Sequence, residues 1–560
     1  MQNTLYRLKP DVVIEPLVAG WHASTLLVSP LSLALITARR HLPMLDSWLA
    51  DPAAHAMAVE DPDLLGGPFM DIAASRTGEV QAFADWTRRT LAPSLSLAQA
   101  IEHTWALLAS QACGQGLAAL YNALPPALKG LTELVYTPAG APDIRPLEAL
   151  LYQSEYYNPA LQQAWVRRIH SDQRSFSMST PRLPEPGQLV INRPFCDPAY
   201  DVLARARHIP AALPDLLDAF GLPATQADEI LPLLDRVDTG NTAPAIPAKL
   251  PASRASRWRY FGHACVLVEA ASGIKVLVDP VIACESGQAP ERYTLNDLPE
   301  QIDYLLITHN HPDHALIETL LALRWKTRTV LVPASSGSVV DPSLKAALQA
   351  LGFTDVRAID SLENLDDKGI HLQAIPFLGE HADLDIRSKT SWLVDTGDMR
   401  LLFAADSNNL APELYTRLRP LLGHVNALFL GMECQGAPMS WLYGSMLAHP
   451  PLYEHDQSRR LDGSDAERAW ALVSALKVDQ VLVYAMGMEP WLTFICGIDG
   501  TRDSLPLQQS RQFIQRCLDH GIAARRLYGS DSSDAVAGDK ATATATPAQA
   551  PDDQVITLTL

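Results

Sequence analysis

The sequence predicts an α/β protein in two parts: an N-terminal α+β domain over residues 1–236 and a second domain of helix-covered sheets over 257–530. Three observations carry this. A stretch with no hydrophobic period, VDTGNTAPAIPAKLPASRAS, separates two textures at residues 237–256, and its Pro, Ala, Ser, Thr and Gly are linker composition. Before it, helical periodicity runs through residues 97–121 and returns near 203–220, with apolar runs nearer the start that read as strands. After it, short β-rich apolar runs alternate with amphipathic stretches, as sheets covered by helices do.

Each element follows in chain order. The start, MQNTLYRLKPDVVIEPL, has no basic segment ahead of an apolar run, so no signal peptide is expected. The apolar run LLVSPLSLALITA, residues 26–38, is too short to span a bilayer and holds Ser, Pro and Thr, so it reads as a buried element. Past the linker, RWRYFGHACVLVEA, a turn and IKVLVDP read as one β-hairpin over 257–280. Strands are expected at 304–308, 329–333, 371–377, 391–395, 400–404, 427–430 and 481–484, with helices at 343–351 and 465–476. From residue 531, Ala, Thr, Ser, Asp and Pro dominate, and a disordered tail over 531–560 is expected.

The chain of 560 residues has a formal net charge of −19, which repels nucleic acid and anionic membrane and fits a cytoplasmic enzyme. Seven cysteines, an odd number without Cys-x-x-Cys spacing, argue against a disulfide framework or a thiolate metal site and for a reducing compartment.

The chemistry concentrates in IDYLLITHNHPDHALIETL. A β-branched apolar strand runs into His309, His311, Asp313 and His314, and a helical pattern follows. A turn there projects three imidazoles and a carboxylate into one small volume, a donor set for divalent zinc or iron, with His309 and His311 on one metal and Asp313 and His314 on a second.

Through its His-x-His-x-Asp-His motif the sequence resembles the metallo-β-lactamase superfamily over about residues 257–530. The resemblance implies an αββα sandwich with metal-ligand loops along one edge. A later loop gives a histidine, a strand end gives a bridging Asp, and a final loop gives another histidine. LLFAADSNN places Asp406 as the bridging carboxylate, and Asp279 in VLVDP resembles the superfamily's Asp that orients a ligand histidine. Two departures stand out. The loop due to give the next histidine, PFLGEHADLD, holds both Glu380 and His381. The place for the last, AMGMEPW, holds none, leaving Glu433 in LFLGMEC, and after it His449 in MLAHP, as candidates.

Hydrolysis needs a Lewis acid that makes hydroxide near neutral pH, which neutral imidazoles serve well. Anionic oxygen ligands instead stabilise higher iron charge and move between terminal and bridging modes, which suits O2 activation at a diiron centre. PFLGEHADLD, LGMECQGAP and the missing last histidine resemble the diiron β-hydroxylases of nonribosomal peptide synthesis, of the chloramphenicol-pathway type. That resemblance implies two Fe ions as cofactor, with O2 and two external electrons. It implies His309, His311 and Glu380 on one iron, Asp313, His314 and Glu433 on the other, and Asp406 bridging. Glu380 and Asp406 are the expected catalytic pair, Glu380 shifting its binding mode when substrate arrives. The implied partners are an aminoacyl-loaded peptidyl carrier protein, a reductase or ferredoxin, and a second copy in a homodimer, with the N-terminal domain meeting the carrier protein. The competing expectation is a zinc hydrolase of a thioester, lactone or phosphoester, with His381 as ligand. Metal identity and O2 dependence separate the two. Trp441, Tyr443 and Trp491 are expected to line a channel or pack a core, and Arg459 and Arg460 to meet a phosphate or face solvent.

Overall fold

The computed structural model describes residues 4–185, 188–237, 255–498 and 503–534. The catalytic part is two seven-stranded sheets packed face to face. The first runs Val356–Ile359, Thr327–Pro333, Ile302–Leu306, Lys275–Val278, Val266–Glu269, Arg257–Tyr260 and Asp531–Asp534 from edge to edge. The second runs Asn364–Asp367, Ile370–Ile375, Ser391–Asp395, Arg400–Phe403, His424–Gly431, Lys477–Tyr484 and Ala523–Arg526.

Strand alternation sorts the side chains between two faces. On the first sheet Val266, Val268, Val276, Val278, Tyr304 and Leu306 point inward; on the second Trp392, Val394, Leu401, Phe403, Phe429 and Leu482 meet them in one buried cluster. The indole of Trp392 donates from Nε1 to the Ile307 carbonyl at 3.0 Å, tying the sheets together beside the turn that carries His309, His311, Asp313 and His314. The outward residues Leu393, Leu402, Leu428, Val481 and Val483 pack under helices Glu413–Leu422, Ala466–Ala475 and Leu505–Asp519. Helices therefore cover both outer faces of a sheet pair, the αββα arrangement expected.

The N-terminal part combines a four-stranded sheet (Trp21–His22, Val12–Val18, Gln162–Arg168, Leu189–Ile191) with helices including Thr77–Thr90 and Ala92–Gln111. The early apolar run forms two short helices, Thr25–Val28 and Pro30–Ile36, with every residue buried. This part does not stand apart. Its Leu26, Phe195 and Leu203 share one continuous core with Leu267, Leu277, Leu305, Val330 and Val332 from the outer face of the first sheet. Polar contacts reinforce the seam. Glu15, fully buried, accepts from Arg182 at 2.8 Å and Arg167 at 3.1 Å. Arg174, 3.4 Å from Glu15, reaches 2.7 Å to Glu318 on helix Ile317–Leu323. Burial pushes the Glu15 carboxyl up, but Arg182, Arg174 and His22 outweigh it and hold it well below the usual carboxylate range.

Two expectations are corrected. The single hairpin over 257–280 is a three-stranded meander, because Gly262 (φ 102) and His263 turn the chain between Arg257–Tyr260 and Val266–Glu269. A Cβ on Gly262 would sit 2.6 Å from Trp491, so only glycine fits. The tail expected to be disordered from residue 531 begins with strand Asp531–Asp534, which pairs with Arg257–Tyr260. Its polar composition suits an edge strand and hid it from an apolar-pattern search. Residues 238–254 of the expected linker and 535–560 of the expected tail lie outside the described residues. Among the described residues no helix is long and apolar enough to cross a membrane.

Candidate metal centre

The histidine-bearing turn leaves strand Ile302–Leu306 and closes when the amides of His314 and Ala315 both donate to the His311 carbonyl, at 3.1 and 2.9 Å. This folds His309, His311 and His314 back over the strand end, with His309 and His314 fully buried. Three other strand ends around the site turn through a residue in the left-handed region: Asp279 (φ 42) after Lys275–Val278, Ala405 (φ 48) ahead of Asp406, and Ala485 (φ 51) after Lys477–Tyr484. Glu380 itself has φ 65. Such backbone is costly away from glycine and is held only where the surroundings fix it.

The donor atoms converge in overlapping groups: His309, His311 and Glu380; His309, His314 and Asp406; and His263, Asp313 and His314, each within 4.8 Å. Glu380 Oε1 lies 2.7 Å from His311 Nδ1 and 4.0 Å from His309 Nε2. Asp406 Oδ2 lies 3.1 Å from His314 Nε2 and 4.0 Å from His309 Nε2, between the first group and the rest. Each imidazole is oriented by its other nitrogen. His314 Nδ1 meets Asp279 Oδ2 at 2.9 Å. His309 Nδ1 meets the Thr308 hydroxyl at 3.0 Å, and that hydroxyl donates to Asp279 at 2.6 Å. His311 Nε2 meets the Tyr443 hydroxyl at 2.8 Å. The inward nitrogens are therefore Nε2, Nδ1 and Nε2 of His309, His311 and His314.

Two features show that these residues fit metal ions. His309 Nε2 and Asp406 Oδ1 are buried with no hydrogen-bond partner among the described residues, where buried polar atoms are ordinarily satisfied. The charges are also poorly balanced without cations. Burial pushes the Glu433 carboxyl up to about 8, Asp406 adding to it. Burial lowers His309 well below the usual imidazole range, and the neighbouring His314 adds to this. For His314, burial lowers the ring, but Asp406, Asp279 and Asp313 outweigh it and raise it well above that range. For Glu380 the upward push of burial loses to His311, His381 and His309, holding it well below the carboxylate range. Imidazole nitrogens, carboxylates and mutual repulsion among the acids match a pair of divalent ions.

His309, His311, Asp313, His314, Glu380 and Asp406 are thus brought together. Glu433 lines the same cavity but falls outside the three tight groups. His381 lies tilted against His311, ring centres 4.7 Å apart, with Nδ1 2.5 Å from Glu380 Oε2; it belongs to none of the groups. His449 is exposed and outside them, and so drops out as a ligand candidate. Trp441 lines the cavity, Tyr443 is buried against His311, and Trp491 packs in a small core with Val281, Leu316 and Phe494. Arg460 reaches the cavity while donating to the Gly436 carbonyl at 2.6 Å.

The cavity holds about 650 Å³. Leu65, Gly66, Phe176 and Met178 of the N-terminal part form one wall, and Trp441, Leu461, Met486 and Ile498 line the rest around His311, Asp313, Glu380, Asp406 and Glu433. Sequence reasoning missed His263, whose Nε2 lies 3.2 Å from Asp313 Oδ2, and Cys496, whose Sγ lies 3.8 Å from the same oxygen. The Gly262–His263 pair inside an apparent hairpin was the available signal.

Residues 7–237 match the family described as diiron non-heme beta-hydroxylase N-terminal domain, and residues 257–430 the beta-lactamase superfamily domain. The chain is 39% identical over 531 residues to the 4-amino-L-phenylalanyl-[CmlP-peptidyl-carrier-protein] 3-hydroxylase of Streptomyces venezuelae, covering 93% of this chain and 98% of that one. The chain belongs to the diiron beta-hydroxylase family. The crystal structure of CmlA, a diiron beta-hydroxylase from Streptomyces venezuelae, superposes with a TM-score of 0.85 at 37% identity, covering 95% of this chain and 100% of that one. A UPF0173 protein of Pyrococcus abyssi is 24% identical over 230 residues, 39% of this chain and 95% of that one. As a diiron beta-hydroxylase the protein is an oxidoreductase whose cofactor is two Fe ions, built on a metallo-β-lactamase fold, and the zinc-hydrolase expectation is set aside.

Proposed function

We propose that the protein hydroxylates the β-carbon of an amino acid held as a thioester on the carrier protein of a nonribosomal peptide synthetase. One observation carries the substrate class: the likeness spans 98% of a relative named for acting on an aminoacyl peptidyl-carrier protein. The cavity supports it: His311, Asp313, Glu380, Asp406 and Glu433 line about 650 Å³, room for an amino-acid side chain beside them.

In this reading His309, His311 and Glu380 would hold one iron and Asp313, His314 and Glu433 the other, with Asp406 lying between the two sets of donors. Iron bound there supplies activation of O2, one oxygen atom entering the C–H bond and the other leaving as water with two protons and two electrons from outside. The chain's own residues orient and shield. Asp279 and Thr308 fix the His309 and His314 rings, and Tyr443 fixes His311. Phe176, Met178 and Trp441 give the same cavity an apolar lining. Glu380 and Asp406 both line the cavity, and Glu380 would be the carboxylate to shift its binding mode as substrate arrives.

The same proposal keeps the division at residues 237–256, with the matched ranges falling on either side. It also keeps a reductase or ferredoxin as electron donor, a homodimer, and a cytoplasmic location, which the seven unpaired cysteines suit. The test is metal analysis followed by single-turnover reaction with loaded carrier protein. Two irons per chain and an O2-dependent gain of one oxygen on the aminoacyl group are expected. Zinc in place of iron, or thioester cleavage without oxygen gain, overturns the reading.

A further inference from the structure

His263 occupies the turn between the first two strands of the catalytic part. The turn is closed by Cys265 N–H on the Gly262 carbonyl at 3.0 Å. The residue takes a left-handed backbone, φ 51, which is uncommon away from glycine. Its backbone is clamped: the His263 N–H donates to Glu489 Oε1 at 3.0 Å, and Tyr260 donates its hydroxyl to the same oxygen at 2.5 Å. Glu489 is buried.

The ring, also buried, is held at both nitrogens. Gly487 donates its backbone N–H to Nδ1 at 3.3 Å. A neutral imidazole carries one N–H, so a nitrogen that accepts leaves the proton on the other. Nε2 is then the donor, and it faces Asp313 Oδ2 at 3.2 Å. A metal ligand would need the reverse: a free lone pair on Nε2 and a proton on Nδ1, pointing at the Gly487 N–H. Gly487 is itself fixed, with φ 62 and a position where a Cβ would lie 2.6 Å from Ile498 Cδ1. Cys496 Sγ, 3.8 Å from Asp313 Oδ2, adds a weaker second donor to that oxygen.

We infer that His263 is the positioning residue of the second iron's carboxylate: it holds Asp313 by an Nε2–H donor and is not itself a ligand. The inference rests on the ligand assignment proposed above. It gives Asp313 the kind of outer support that Asp279 gives His314 and Tyr443 gives His311. It also places the backbone amide of Gly487, from a segment without histidine, behind the imidazole instead of on the metal.

The test compares wild type, His263→Ala and His263→Gln, the glutamine amide reaching about as far as the imidazole with an N–H of its own. Each is loaded with iron, and iron content, release to a chelator and the X-ray absorption count of imidazole ligands are measured. In His263→Ala one iron of the pair is expected to leave about 10–100-fold faster, with the imidazole count unchanged. In His263→Gln release returns to within a few-fold of wild type. Wild-type release from His263→Ala overturns the inference. So does a His263→Gln variant that, like His263→Ala, shows one imidazole fewer than wild type, which makes His263 a ligand. Should the wild-type protein take up zinc instead of iron, the functional reading fails on that measurement alone, and the same release comparison with zinc still decides the role of His263.

Discussion

The two proposed metal positions are built from different materials. The first is imidazole-rich and shut in: His309 is fully buried and the Glu380 side chain is 5% exposed. The second is carboxylate-rich and open: the side chains of Asp313 and Asp406 are 24% and 13% exposed, and Glu433 joins them along the cavity. Their support differs as well. His309 and His311 are steered by Thr308 and Tyr443, side chains close to the metal turn. The second position draws on Asp279 and His263 from neighbouring strand ends. A hard, open donor set stabilises iron in its higher charge state and exchanges ligands more readily than a closed imidazole set. In the proposed reading both positions reach the cavity, the first through His311 and Glu380 and the second through Asp313, Asp406 and Glu433.

The sharpest way to break this comparison is at the carboxylate that closes the first position. Glu380→Ala is expected to cut hydroxylation by at least ~100-fold and to disturb the iron pair, while His381→Ala keeps both irons. Metal analysis of the two variants decides it, and irons kept in the former but lost in the latter would reverse the assignment. Glu433→Gln preserves shape but removes charge. The second iron should then be lost to chelator more readily by at least the ~10–100-fold typical of losing an outer partner, the first staying put. Equal loss from both positions would dissolve the distinction. Tyr443→Phe removes only the hydroxyl on His311, and release from the first position should speed by about 10-fold, seen as a change in one kinetic phase. Smallest is Thr25→Ala. The Thr25 hydroxyl donates to Asn310, between His309 and His311 in the turn. Its loss should cost about 1 kcal/mol in denaturant unfolding and shift both positions alike. A selective effect on one position would mean that the tether acts on the site and not on the fold.

The elements that were legible in the sequence are those whose pattern is local. Strand Ser391–Asp395 has the expected bounds because Trp392 and Val394 alternate with Leu393 on a two-sided apolar sheet. The His309–His314 cluster was readable because four candidate ligands, three His and one Asp, fall within six residues of one turn. Glu380, Asp406 and Glu433 were placed through family likeness, since nothing in their own neighbourhoods marks a carboxylate as a ligand. His263 escaped because its partner lies 50 residues away and a single histidine in a hairpin carries no spacing signal. The edge strands Asn364–Asp367 and Asp531–Asp534 escaped for the opposite reason: they are polar, and their pairing comes from the backbone.

The shared core between the N-terminal helices and the outer face of the first sheet has a consequence for how this protein can be taken apart. Helix Ile317–Leu323, directly after the metal turn, packs on Ala199–Arg205, and Thr25–Val28 packs on Leu344–Ala350. Cutting the chain at residues 237–256 would not release an enzyme and an accessory. It would uncover Leu320, Leu321, Leu344 and Leu348, together with Arg174's partner Glu318, on one side of the very turn that carries the histidines. Exposed apolar patches of that kind drive association between molecules. Grafting this catalytic domain onto another N-terminal region would therefore succeed only if the receiving helices reproduced the seam. For design purposes the modular unit is the whole chain, and exchange of substrate preference is better sought in the cavity wall at Leu65, Phe176 and Trp441 than by exchange of domains.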